Sequence, residues 1–256
     1  MSLSTVLFLF LAHLGVGITC TLLFVGREAG VKFFRFNAGL AAILIAVALA
    51  FQFDVALAVS EAALVVYWAT VGRMLARVRP IIVAVAIGAG VAAILLQALH
   101  VSAAWTLPAR ALTVASFLSS AALLGGACTA MILGHWYLVI PSMQVSLLQS
   151  VVKIHIASMV VRVAVVAAAV FVAIATWEPG TGPSFRYYIT SVGGIFFWQR
   201  VLFGLCGPAL LSYLTWETAK IRSTQSATGI LYVDFFTVVV GEVLAKYILL
   251  ATRVAV

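Results

Sequence analysis

The chain has 256 residues, 65% of them hydrophobic and 9% charged, with a mean hydropathy of +1.22. That composition excludes an ordinary soluble domain, and the length leaves room for about eight spans of roughly 20 residues and no sizeable extramembrane domain. The net charge of +8 comes mainly from basic residues in short connections, the pattern membrane insertion imposes, and it argues against a nucleic-acid-binding face.

Apolar runs punctuated by charges and prolines predict helices over 3–25, 37–53, 55–72, 81–104, 111–140, 146–176, 188–215 and 226–252. The first run lacks a charged leader and is too long for the core of a signal peptide, so it is expected to be a retained span. Phe51-Gln52-Phe53-Asp54 offers a very tight turn between the second and third spans, with one broken or re-entrant segment as the alternative. Pro141 is expected to end the fifth span, and Glu178-Pro179-Gly180-Thr181-Gly182-Pro183 is the longest loop with turn chemistry.

Lys and Arg concentrate on alternate connections. The first carries Arg27, Lys32 and Arg35, the third Arg73, Arg77 and Arg79, and the seventh Lys220 and Arg222. The second has only Asp54, the fourth Arg110, and the sixth Glu178 and Arg186. The odd connections are therefore expected to face the cytoplasm and both termini to lie outside, with Trp105, Trp177, Tyr187 and Tyr188 as anchors at the outer interface. The expected fold is all-α: one polytopic transmembrane domain over 1–256, in a membrane of the bacterial inner (cytoplasmic) type.

Cys20, Cys128 and Cys206 lie in apolar runs without CxxC or CxxCH spacing and read as small buried hydrophobes. No phosphate-binding, dinucleotide-binding or zinc-protease motif occurs in a supporting context.

Imidazoles inside a bilayer are costly unless bonded or ligated, which makes them candidate functional groups. His13 falls in the first span, His100 in the fourth, His135 in the fifth and His155 in the sixth. His135 and His155 are expected at similar depth on consecutive antiparallel helices. Gly126, Ala130 and Gly134 form a small-residue stripe nearby that admits either a helix or a flat ring. Imidazole is a haem b ligand, so His135 and His155 are candidate axial ligands of haem iron. Helices packed about 8–10 Å apart leave no room for a porphyrin, however, so a haem requires splayed helices or pairing across the bundle with His13 or His100.

Glu61, Arg162, Arg200, Asp234, Glu242 and Lys246 are also placed inside spans. Each carries a penalty of roughly 2.5–3.5 kcal/mol near a helix centre and needs a partner. Glu242 and Lys246 stand one turn apart and can pair. Arg162 and Arg200 need anions, either these carboxylates or the propionates of a haem, and Glu61, Glu242 and Asp234 are the candidates for proton transfer.

The leading expectation is a membrane electron-transfer subunit of a larger complex, cytochrome b-like, binding haem b, quinone or both. The alternatives are a secondary transporter or proton channel built on the charged residues, and a non-catalytic assembly subunit. The expected partners are lipid and other membrane subunits.

Overall fold

The computed structural model describes residues 3–74, 76–140, 143–177 and 184–256, and no strand occurs among them. Ten helices follow in chain order: α1 (Leu3–Thr21), α2 (Gly30–Phe51), α3 (Val55–Thr70), α4 (Arg79–Val101), α5 (Leu107–Val139), α6 (Val145–Ala175), α7 (Phe185–Thr190), α8 (Ile195–Val201), α9 (Gly207–Lys220) and α10 (Thr224–Thr252). Seven helical stretches among the described residues are long and apolar enough to cross a membrane, with α8 and α9 forming one of them, and α3 is a shorter apolar helix. The protein is an all-helical membrane bundle. Pro141 and the Glu178–Pro183 loop lie outside the described residues.

Local chemistry sets the helix ends. Pro80, Pro108 and Pro208 stand in the first turns of α4, α5 and α9, where a missing N–H removes no helical bond. Asp54 divides α2 from α3: its Oδ1 accepts the Leu57 N–H at 2.9 Å and caps α3. The tight turn legible in Phe51–Asp54 is thus real, and the segment is two helices.

α5 is the centre of the bundle, packed against α1, α4, α6 and α10. Nearly every residue from Ser116 to Gly134 is buried, on all sides of the helix. Its small residues permit this. A Cβ on Gly17 of α1 would lie 2.9 Å from the Gly125 nitrogen, so these two helices touch backbone to backbone. Hydroxyls tie the layers together. Thr21 on α1 and Thr129 on α5 share a 2.6 Å hydrogen bond, and Thr228 on α10 donates to the Gly134 carbonyl at 2.9 Å.

The span expected over 188–215 is not one continuous helix. α7 stops at Thr190, Ser191–Gly194 breaks the run, and Trp198 Nε1 donates to the Ile189 carbonyl at 3.0 Å across the break. α8 then passes through a π-helical turn, Leu202–Cys206, into α9. Pro208 explains part of this irregularity. It has no N–H to give the Gly204 carbonyl, and Arg200 NH1 donates to that carbonyl instead, at 2.7 Å.

Candidate functional site: two buried polar centres on one helix

Asp234, Val238, Glu242 and Lys246 recur every four residues, so they line one face of α10, and all four are buried. The first centre surrounds Glu242. Its Oε1 accepts from Arg162 Nε on α6 at 2.9 Å and from Arg200 NH2 on α8 at 2.8 Å. Its Oε2 accepts from Ser120 Oγ on α5 at 2.5 Å, from Lys246 Nζ at 3.1 Å and from Arg162 NH2 at 3.2 Å. One carboxylate thus joins four helices.

The remaining Arg162 donors are also used. NH1 reaches the Ser116 carbonyl at 3.1 Å and Ser116 Oγ at 2.7 Å, and NH2 reaches the Val256 carbonyl at 3.1 Å. Val256 gets there because Arg253 ends α10 in the left-handed conformation, φ 61°, and turns the chain back onto the bundle.

Ser120 fixes the state of His13. The hydroxyl has one proton, given to Glu242, and it also accepts from Lys246 Nζ. The 3.2 Å bond to His13 Nδ1 must therefore have the imidazole as donor. His13 is then the Nδ1–H tautomer, with Nε2 buried and without a partner among the described residues. Arg162, Arg200 and Lys246 surround Glu242, three buried cationic side chains about one buried carboxylate side chain.

The second centre is His155 on α6 with Asp234. Nε2 and Oδ2 are 2.7 Å apart, and neither side chain is exposed. The other atoms of the pair, His155 Nδ1 and Asp234 Oδ1, are buried without a hydrogen-bond partner among the described residues. Eight residues separate Asp234 from Glu242, about 12 Å of helix rise. Val238 on α10 and Met159 on α6, both buried, occupy the corresponding turns between the centres.

The structure places the predicted residues unevenly. Arg162, Arg200, Glu242 and Lys246 come together, and the arginines find a carboxylate as expected. The His135–His155 pair does not form. His155 lies against Gly126, nine residues before His135 on α5, so the two imidazoles differ in depth by about 13 Å. His135 is exposed on the bundle surface, where Nδ1 bonds the Tyr232 hydroxyl at 2.9 Å. His13 is buried at the level of Ser120, while His100 is exposed at the end of α4. Glu61, half-buried on α3 between α2 and α4, stays apart from both centres.

Helices fill the small-residue stripe. A Cβ on Gly126 would meet His155 Nδ1 at 3.4 Å, and one on Gly134 would meet Thr228 Oγ1 and Leu231 Cδ1 at 3.1 Å. His155 Nδ1 thus faces the Gly126 turn of α5, and Nε2 is held by Asp234. Among the described residues no three His, Cys, Asp or Glu side chains gather as a metal site.

Sequence reasoning missed Ser116, Ser119 and Ser120 as partners of the charges. Their spacing was a signal, because positions i, i+3 and i+4 put three hydroxyls on one face of an otherwise apolar helix.

A cavity of about 450 Å³ opens at the end of the bundle carrying the even connections, lined by Trp105, Thr113, Thr176, Phe185, Tyr188 and Val254. Thr113 is one turn from Ser116 and Val254 two residues from Val256, so this cavity approaches the Arg162 centre. The chain matches no protein-family model, no curated protein and no solved structure.

Proposed function

We propose that this protein moves protons across the membrane, as a proton-coupled transporter or proton channel organised on α10. The observation that carries the reading is the pair of buried ionisable centres, His155–Asp234 and Glu242–Lys246, stacked on one face of a membrane helix. Charged groups at this depth are expensive, and their usual use is a relay or an ion pathway. The His155–Asp234 hydrogen bond lets a proton pass from Nε2 to Oδ2 or back without either group meeting lipid. Lys246, bonded to Ser120 and through it to His13, takes or gives a proton at the other centre while Arg162 and Arg200 keep Glu242 ionised. The path between the centres needs water where Val238 and Met159 are packed, so the relay requires these two side chains to move apart. The basic odd connections support an inner-membrane orientation with both termini outside.

Proteoliposomes holding a pH-sensitive dye, with a potassium-diffusion potential applied, test this. Wild-type protein should acidify or alkalinise the lumen faster than empty vesicles, and Asp234→Asn should abolish the difference while the protein remains folded. Flux equal to that of empty vesicles for the wild type, or unchanged flux in Asp234→Asn, would overturn it.

The aromatic cavity beside the Arg162 centre favours a second reading, a quinone-binding electron-transfer subunit. A quinone ring held by Trp105, Phe185 and Tyr188 would stand next to groups able to take quinol protons. A haem b in the same subunit would use the unpartnered nitrogens, His13 Nε2 and His155 Nδ1, and would need the packed helices to part to admit it. A quinone in the lipid extract of purified protein supports this reading, a b-type band in the reduced-minus-oxidised spectrum supports the haem, and absence of both removes the reading.

A further inference from the structure

At the opposite end of the bundle, α2, α3, α4 and the connections that join α1 to α2 and α3 to α4 line a second cavity, of about 520 Å³. Its origin lies in the length of α3. Sixteen residues rise about 24 Å, less than the roughly 30 Å of a bilayer's hydrocarbon core. With Asp54 fixing one end of α3, the other stops short and leaves a recess beneath the connection to α4. Leu22, Val31, Phe34, Val71 and Val83 give the recess apolar walls.

Its rim is cationic. Arg27 and Arg79 both line the cavity. The Arg27 guanidinium has no hydrogen bond or ion pair with a described residue. Arg79 spends NH2 on the Met74 carbonyl at 3.3 Å, and its Nε is buried without a partner among the described residues. Lys32 and Arg35 stand in the first turns of α2, and Arg73 and Arg77 in the connection between α3 and α4. The single carboxylate there, Glu28, folds over Gly26 in the direction of Leu147 on α6.

We propose that this recess is a binding site for an anionic glycerophospholipid, with its phosphate between Arg27 and Arg79 and an acyl chain along the apolar wall formed by α2 and α4. A free inorganic anion answers the arginines but leaves the apolar walls empty. A zwitterionic lipid fills the walls but brings no net charge to the two arginines of the rim. Only an anionic lipid meets both halves of the site, and basic pockets between membrane helices recognise such headgroups.

Native mass spectrometry of delipidated protein with added phosphatidylglycerol, phosphatidylcholine or inorganic phosphate tests the assignment, with thermal unfolding in the same detergent as a second readout. Phosphatidylglycerol should bind roughly ten- to thirty-fold more tightly than phosphatidylcholine and raise the unfolding midpoint, as two arginines near a membrane surface allow. Arg27→Gln with Arg79→Gln should remove that preference. Val83→Trp, which fills the recess and leaves both arginines, should weaken both lipids, and Arg110→Gln outside it should change nothing. Equal binding of the two lipids by the wild type, or a preference surviving in the double variant, would overturn the proposal. Full stabilisation by inorganic phosphate alone would reduce the recess to an anion site and overturn it too.

Discussion

Gly204, in the π-helical turn, and Gly241, on α10, meet backbone to backbone. A Cβ on either would run into the Cα of the other, and one on Gly241 would also stand 3.0 Å from Arg200 NH1. The absence of two side chains is what brings α8 close enough for Arg200 to reach Glu242, the residue next to Gly241.

Gly241→Ala is expected to lower stability by about 1–3 kcal/mol, the usual effect of forcing an atom into a packed contact, and to loosen the Arg200–Glu242 pair with it. Gly88→Ala and Gly229→Ala are the controls, since a Cβ at either helical position meets nothing within 4 Å. Both should be neutral or stabilising by about 0.5–1 kcal/mol. Thermal unfolding in detergent, followed by tryptophan fluorescence, orders the three.

The Glu242 centre predicts an unequal response to losing its members. Arg200→Leu leaves Glu242 bonded to Arg162, Lys246 and Ser120, whereas Glu242→Gln leaves three buried cations around a neutral amide. Breaking a buried pair costs about 3–5 kcal/mol, and the expectation is that Glu242→Gln lies at or beyond the upper end and Arg200→Leu below it. Arg110→Leu, half-buried at the start of α5, should change stability by less than about 1 kcal/mol. The yield of folded monomer and the unfolding midpoint should fall in the order Arg110→Leu, Arg200→Leu, Glu242→Gln.

His155 and Asp234 should behave as a coupled unit. His155→Leu leaves a buried carboxylate with no side-chain donor, and Asp234→Leu leaves an imidazole with neither nitrogen bonded. The double variant leaves neither, so it should be more stable than His155→Leu alone, with a coupling of about 1–3 kcal/mol in the four-variant cycle. Additive losses would show that the two side chains do not depend on each other.

Orientation is checked by cysteine labelling in a Cys206→Ser background, since Cys206 is the exposed thiol of the three. Ala103→Cys, in the connection between α4 and α5, should react with an impermeant thiol reagent added to intact cells, and Arg77→Cys should react only after the cells are opened. The reverse pattern would place the odd connections outside.

The helical membrane bundle was legible because each span is a long apolar run, and Phe51-Gln52-Phe53-Asp54 marked a tight turn in an otherwise uncharged stretch. The pairing of Glu242 with Lys246 was legible for the same reason: four residues along one helix fix a distance. What the sequence did not carry was the rotation and offset of one helix against another. Without these, His155 seemed level with His135, when the contact of Gly126 with His155 shifts it by nearly half the membrane. Asp234 could not be recognised as its partner, being 79 residues away on a helix of unknown register. The break near 191–194 and the π turn were similarly hidden, because the run from 188 to 215 stays apolar while the backbone bonds around Pro208 are rearranged.

The order of the chain gives the Glu242 centre a place in biogenesis. Arg162 and Arg200 are synthesised before Glu242, the carboxylate that both of them use, and α5 presents Ser120 well before Glu242 and Lys246 arrive to bond it. Until α10 enters, Arg162 has only the serines of α5 to bond, and neither guanidinium has its carboxylate. The last helix therefore closes the bundle electrically as well as sterically: a chain halted at residue 223 would hold both arginines without Glu242, and its central helix would have one side uncovered.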